Sequence, residues 1–272
     1  MNEIDETKAP LLDHLIELRR RLLWCVATLG ISFCICFYFA RPIFAFLVQP
    51  LLRAGQGRLI YTSIFEAFFA QVKVAFFAAA MLSFPIIANQ IWQFVAPGLY
   101  KKEKKAFLPF LFFTPVLFLS GAALAYYVTM PVALHFLLGY QGNIGGIQQT
   151  ALPGVGNYLD FVTKFIFGFG IAFLLPVLLM LMERAGIVTR AQLSKGRRYA
   201  IVGAVAIAAV LTPPDVISQL SLAIPLIALY ELALIAIWFT ERRRKREQEM
   251  PSDTEPSADS DQHLLELNQT EG

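Results

Sequence analysis

Long apolar runs separated by short polar segments dominate this chain of 272 residues. A helix needs about 20 apolar residues to cross the hydrocarbon core of a bilayer. Leu22 to Ala40 provides 19 residues without a charge, and Val74 to Tyr100 provides 27 if Lys73 is taken as its boundary. From Ala106 to Leu159 no charge occurs in 54 residues. The glycine-rich stretch Gly139 to Asn157 divides that region, so a third helix is predicted from about Ala106 to Leu138 and a fourth from Tyr158 to Met182. Two shorter runs follow, Tyr199 to Leu211 and Val216 to Thr240, on either side of Thr212-Pro213-Pro214-Asp215. Consecutive prolines stop a helix, and an aspartate beside them can cap the next. The pattern predicts an all-α membrane protein with six transmembrane helices. The fifth run holds only 13 residues. At 1.5 Å per residue it reaches roughly 20 Å, short of a core about 30 Å thick, unless the bilayer thins or flanking residues snorkel.

Charge gives the orientation. Basic residues cluster in the N-terminal segment (Lys8, Arg19, Arg20, Arg21), the second loop (Lys101, Lys102, Lys104, Lys105), the fourth loop (Arg184, Arg190, Lys195, Arg197, Arg198) and the C-terminal segment (Arg242 to Arg246). The alternate side holds only Arg41, Arg53 and Arg58. The positive-inside rule places both termini in the cytoplasm and requires an even number of spans. Trp24, Trp92, Tyr199 and Trp238 fall near the same helix ends, where amphipathic rings favour the interface or simply pack. The expected organisation is a cytoplasmic segment 1–21, a membrane domain 22–240 and a disordered acidic cytoplasmic tail 241–272; from Glu247 onward the tail has eight acids and no Lys or Arg. The mixed-charge N-terminus does not read as a cleavable signal peptide.

Composition narrows the function. Hydrophobic residues make up 57% and charged residues 16%, against about 25% charge in soluble domains. The net charge of +3 is too small to suggest a nucleic-acid partner. Cys25, Cys34 and Cys36 sit in one apolar run and read as packing residues. No zinc-protease, nucleophile-elbow, phosphate-loop or dinucleotide motif occurs, and His14, His135 and His263 are too dispersed for one metal site. No enzyme activity and no cofactor are expected. A small-solute transporter would carry repeats and several intramembrane charges, and neither is evident. Charges in or beside the membrane are the functional candidates. Glu66 and Lys73 share one helix face and read as interface anchors or as functional groups. Asp160 and Lys164 are an i,i+4 pair. Glu231 lies inside the sixth helix, where a carboxylate must face protein, water or a partner.

Three strings then converge. The first is His14-Leu15-Ile16-Glu17-Leu18-Arg19-Arg20-Arg21-Leu22-Leu23. The second is Gln90-Ile91-Trp92-Gln93-Phe94-Val95-Ala96-Pro97-Gly98-Leu99-Tyr100, followed by Lys101-Lys102-Glu103-Lys104-Lys105. The third is Leu211-Thr212-Pro213-Pro214-Asp215-Val216-Ile217-Ser218-Gln219, with Ala223-Ile224-Pro225 and Tyr230-Glu231 beyond it. Together they resemble the TatC family, the multi-spanning subunit of the twin-arginine protein translocase, from about Leu11 to Phe239. The resemblance implies a cupped six-helix bundle with short fifth and sixth helices in a bacterial inner membrane. It also implies recognition of twin-arginine signal peptides at the cytoplasmic face. Folded proteins would then be exported on the protonmotive force, in a multimeric complex with single-span TatA- and TatB-type subunits.

By the same resemblance Glu17, Arg19, Phe94 and Glu103 match signal-peptide-binding positions, while Pro50, Asp215 and Glu231 fall in regions linked to bracing, partner docking or translocation. Carboxylates suit this task, because arginine pairs with them through a planar fork that lysine lacks. From spacing alone, Glu17 could instead pair with Arg20 or Arg21, and Glu103 could neutralise the surrounding lysines. Asp215 could serve only as a helix cap. The basic face should also attract anionic lipids. One departure stands out: many relatives carry an acid before a proline in the fourth helix, where this chain has Leu174 before Leu175-Pro176. Glu231 is the candidate replacement.

Overall fold

A computed structural model describes the backbone at 3–99, 108–184 and 186–249, and side chains at 15–94, 111–143, 145–147, 149–184 and 186–242. Glu103 and the acidic tail beyond Glu249 lie outside the described residues. The chain divides into two units, Met1–Leu234 and Ile235–Gly272, and the contacts below belong to the first unless stated.

The elements run α1 (Glu3–Tyr38), α2 (Ala40–Arg53), α3 (Glu66–Leu99), α4 (Leu108–Leu124), a π-helical turn (Ala125–Thr129), α5 (Met130–Leu138), β1 (Gly142–Ile144), β2 (Ile147–Gln149), α6 (Val155–Ala172), α7 (Leu175–Arg184), α8 (Arg190–Lys195), α9 (Arg197–Leu211) and α10 (Val216–Glu249). Among the described residues, five helical stretches are long and apolar enough to cross a membrane: Leu15–Tyr38, Glu66–Phe94, Leu111–Leu138, Val155–Arg184 and Val216–Arg242. The fifth of the six apolar runs forms α9, whose 15 residues are the short helix its length predicts. The terminal spans extend past the expected limits, with α1 starting at Glu3 and α10 running to Glu249.

Two spans are broken or bent where proline demands it. Pro176 has no N–H for the carbonyl of Ala172 and its ring would crowd that oxygen. The fourth span therefore splits at Phe173–Leu174, where the N–H of Leu174 turns back to Ile171 O. In the third span the N–H of Met130 reaches Ala125 O, five residues back, just before Pro131. That widened turn carries Tyr126 and Thr129 into the core.

Two loop helices were not foreseen, the short α8 and the 14-residue α2. α2 lies in the first loop, and its Ala40, Leu47, Pro50 and Leu51 are buried while Arg41 and Arg53 are exposed. That spacing is one face of an amphipathic helix. Pro50 deprives the Phe46 carbonyl of its helical donor. The Tyr126 hydroxyl supplies one instead at 2.6 Å, and the Tyr158 hydroxyl donates to the neighbouring Leu47 carbonyl at 2.7 Å. Two transmembrane helices thus hold α2 by its backbone.

Glu66 ties the same end together. Its carboxylate accepts from the Thr62 N–H and hydroxyl, from Ser63 N–H at 3.2 Å, and from Gly156 N–H at 2.6 Å. Gly156 is the second residue of α6, so Glu66 satisfies an orphan donor at the start of a different helix. A Cβ at Gly156 would stand 3.0 Å from the Glu66 carboxylate. A parallel bridge between Ile60 and Gly154 runs alongside. The hairpin turn Gly145-Gly146 has φ of 62° and 89°, the left-handed pair that a tight hairpin needs.

The core between α4 and α6 depends on glycine. A Cβ at Gly170 would come within 2.6 Å of the Phe118 ring, and one at Gly121 within 2.7 Å of the Phe169 carbonyl. Phe118 also stacks on Phe84 of α3 with ring centroids 3.6 Å apart. Small residues let apolar helices approach in lipid, where packing rather than water expulsion drives association. Cys36 follows the same logic in a seam with Ala40, Ala75 and Ala79.

Gly170→Leu is expected to destabilise the detergent-solubilised protein by at least about 1–3 kcal/mol, the usual cost of overpacking, seen as a lowered thermal transition. Tyr126→Phe should cost about 1–3 kcal/mol by orphaning the Phe46 carbonyl. The same change should cost less in a Pro50→Ala background, where the helix regains its own donor; a double-mutant cycle of thermal midpoints checks this.

Candidate functional site

Of the three strings, the first lies on α1 and the second on α3, whereas the third spans the turn between α9 and α10. Glu17 sits on α1 beside α3. It is paired within its own helix: Arg21 donates to Glu17 Oε1 through Nε at 3.0 Å and Nη2 at 2.5 Å. Of the two spacing-based partners, the structure selects Arg21, while Arg19 and Arg20 are exposed. The third nitrogen of Arg21, Nη1, crosses to α3 and donates to Gln93 Oε1 at 2.8 Å and Gln90 Oε1 at 3.4 Å. Gln93 in turn donates to Asn89 Oδ1 at 2.8 Å, which turns its carbonyl oxygen towards Arg21. Phe94 follows directly on α3 and is half-buried. Trp92 reaches the other way, donating to Thr114 of α4 at 2.9 Å.

Sequence reasoning singled out Glu17 but not this bridge. Its signal was present, since Gln90 and Gln93, spaced by three, follow a stretch from Val74 to Ala88 in which only Ser83 is polar. What the pattern lacked was the pairing of α1 with α3.

Glu231 faces both protein and solvent, as a carboxylate inside the sixth helix must. It forms an ion pair with Arg197 at 3.1 Å, and both side chains are about half exposed. The neighbouring Tyr230 hydroxyl donates to the Leu193 carbonyl at 2.7 Å. Arg197 is the first residue of α9, the short helix of the fifth run, and Leu174 lies at the break within the fourth span. One membrane pairing differs from the expectation. Asp160 is paired with Lys73 across α3 and α6 at 2.8 Å, rather than with Lys164 along its own helix. Deeper in the bundle, Thr129 and Ser221 share a hydrogen bond at 2.7 Å between the third and sixth spans.

Asp215 caps α10. Its Oδ2 accepts from the Ser218 N–H at 2.6 Å. The residue is only 3% exposed, yet Asp215 Oδ1 and Ser218 Oγ are buried with no hydrogen-bond partner among the described residues. Thr212 Oγ1 bonds back to Ala208 O at 2.8 Å, and Gln219 reaches Val205 O at 3.4 Å, so the turn between α9 and α10 is lined by polar groups. Pro50 is buried in α2, in the first loop. The predicted site residues thus divide into a basic-end group around Glu17, Arg19 and Phe94, and separate positions at Asp215, Pro50 and Glu231.

These features define a class: an all-α, multi-pass membrane protein whose sequence-matched polar groups gather at helix ends, with no cluster of metal-type ligands among the described residues. The family model for the Sec-independent protein translocase protein TatC matches residues 13–225. The Sec-independent protein translocase protein TatC of Magnetococcus marinus is 46% identical over 261 residues, covering 95% of this chain and 94% of its own length. The protein of the same name from Helicobacter pylori strain J99 is 43% identical, covering 82% and 86%. A crystal structure described as the twin arginine translocase receptor TatC is 38% identical with a TM-score of 0.69, covering 82% of this chain and 98% of that one. The chain belongs to the TatC family. It is a six-span, multi-pass inner-membrane component of a protein translocase, a transport subunit rather than an enzyme, and works in a complex with other Tat subunits.

Asp215→Ala should lower the stability of the α9–α10 junction by about 1 kcal/mol, the usual worth of an N-cap. Asp215→Asn retains a capping oxygen and should lose less than half as much. Thermal midpoints in detergent measure both.

Proposed function

We propose that the basic end of this chain is the receptor surface for export signals carrying two adjacent arginines, and that it initiates transport of folded proteins. The observation that carries this reading is the Glu17 carboxylate on α1, already engaged with the Arg21 guanidinium that also bonds to α3. A site that binds one arginine in this way has the acceptors to bind another. Glu103, beyond the described residues, supplies the second carboxylate in this reading, with Arg19 and Phe94 at the margin. Lysine clusters around Glu103 keep the face at the headgroup layer through anionic lipids, so a signal's apolar stretch inserts beside the helices while its arginines remain at the interface. A solved relative, 38% identical, is described as a twin arginine translocase receptor, which supports the same assignment.

Single-span TatA- and TatB-type subunits dock, in this proposal, at the α9–α10 junction, where Asp215 Oδ1 and Ser218 Oγ lack partners among the described residues. A polar side chain on a partner helix would satisfy them, and a buried polar atom without a partner costs about 1–3 kcal/mol. Pro50, by shaping α2, braces the outer face. Transport draws on the protonmotive force.

The test is binding of a labelled signal peptide to membranes containing this protein. Arg-Arg peptide should bind at least about tenfold more tightly than Lys-Lys peptide, as expected where one planar bidentate contact of about 1.4 kcal/mol is lost. Glu17→Ala and Glu103→Ala should each weaken Arg-Arg binding. Binding indifferent to both substitutions and to the arginine pair would remove the carboxylates from the site.

A further inference from the structure

Arg21 has a place in the Glu17 cluster that neither composition nor the functional reading assigns. It is the best-fixed of the three consecutive arginines: its side chain is 19% exposed, while Arg19 and Arg20 are exposed. Three of its nitrogens are committed to acceptors on two helices, Glu17 on α1 and Gln93 and Gln90 on α3. Asn89 orients Gln93 from one turn away. Such an arrangement holds the Glu17 side chain in one rotamer and holds α1 against α3.

The geometry at the carboxylate carries the inference. Both Arg21 bonds to Glu17 fall on Oε1, and among the described residues no hydrogen bond uses Oε2. The Glu17 side chain is 36% exposed. The carboxylate is therefore charge-compensated yet still offers an acceptor. The two properties act differently on the two basic side chains. A lysine ammonium is recognised mainly as a point charge, and a carboxylate already beside a guanidinium attracts it weakly. An arginine adds directional N–H donors in a planar fork, and can engage an oxygen and a neighbouring amide carbonyl together. Gln90 and Gln93 provide such carbonyls next to Glu17.

We propose that Arg21 is a specificity-determining residue: by neutralising Glu17 through Oε1 it makes the site select on guanidinium geometry rather than on positive charge, and so rejects lysine-bearing signals. The inference rests on the reading of Glu17 as part of the receptor surface. Arg21 acts through Glu17 and is a positioning residue for it, not itself a contact for the signal. Removing the Arg21 charge should strengthen the field at Glu17, and any cation would then gain.

The experiment measures the affinities of fluorescently labelled Arg-Arg and Lys-Lys signal peptides for the full chain in vesicles, as parent, Arg21→Gln, Arg21→Lys, Glu17→Gln and the Glu17→Gln/Arg21→Gln pair. The parent should prefer Arg-Arg. Arg21→Gln should lower the ratio of the two affinities at least about fivefold, chiefly by tighter Lys-Lys binding. Lys-Lys binding to that variant should also become more sensitive to salt, because it would rest on an exposed charge. Arg21→Lys keeps the compensating charge and should hold the ratio within about threefold of the parent. In the Glu17→Gln background, Arg21→Gln should leave the ratio unchanged. A parallel fall in both affinities at constant ratio would make Arg21 merely structural and overturn the proposal; so would a ratio that rises, the sign of a competitor displaced by the signal. If Arg21→Gln does not fold, loss of the ratio in Arg21→Lys overturns it as well. Failure of the receptor reading is distinguishable: the parent itself would then show no arginine preference, or one that Glu17→Gln leaves intact.

Discussion

A bilayer interior offers no hydrogen-bond partner to a peptide group, and each group left unsatisfied there costs several kcal/mol. Much of this structure follows from that constraint meeting a proline-rich set of helices. Each interior proline removes one donor and frees one carbonyl. At Pro50 the freed Phe46 carbonyl is recovered by Tyr126 from another helix. At Pro176 the helix stops and restarts, and near Pro131 it widens by one residue. These repairs bring distant segments together. The tyrosine that rescues α2 sits on the π-turn, the π-turn also buries Thr129, and Thr129 bonds to Ser221 in the sixth span.

The two ends of the bundle are held by different chemistry. At the end holding α2 and the hairpin, charged and phenolic side chains lock backbone groups: Glu66 on three amides, Tyr126 and Tyr158 on two carbonyls. Such bonds lack mobile partners and suit a brace. Elsewhere several ties run side chain to side chain, Arg21 to Gln93, Trp92 to Thr114 and Arg197 to Glu231, beside one phenol-to-backbone bond from Tyr230 to Leu193, and the charged members are partly exposed. Exposed ion pairs are worth about 0–1 kcal/mol each and exchange partners at small cost. A surface that must accept and release a signal benefits from contacts of that strength. Between the ends, glycines at 121 and 170 let α4 and α6 approach closely, so that the spacing of the helices rests on packing rather than on charge.

How much could be read from the residue order differs by feature, and the reason is physical. Hydrophobicity and charge are local properties summed along a segment. Runs such as Val74 to Tyr100 and the alternation of basic loops therefore announced the spans, their number and their orientation before any contact was known. The shortness of α9 was legible for the same reason, since length is counted along the chain. The Pro-Pro-Asp cap was legible because Asp215 acts on an amide three residues away. Family strings pointed to Glu17 because the strings themselves are contiguous.

Partnership between segments was not legible, because it depends on which helix faces which. Asp160 had a suitable neighbour four residues on, yet the tertiary fold gave it Lys73, 87 residues away in sequence. Glu231 read as an acid that must face protein, water or a partner, and packing of α10 beside the start of α9 decided that it faces Arg197. α2 went unseen as a helix because its amphipathic face is meaningful only against the transmembrane helices that cover it. Sequence alone determined that this chain crosses a membrane six times with its basic loops on one side. Only the tertiary structure decided that Glu17 would meet Arg21 and the two glutamines of α3, because a hydrogen bond needs two groups within about 3 Å, and no property of either segment by itself sets that distance.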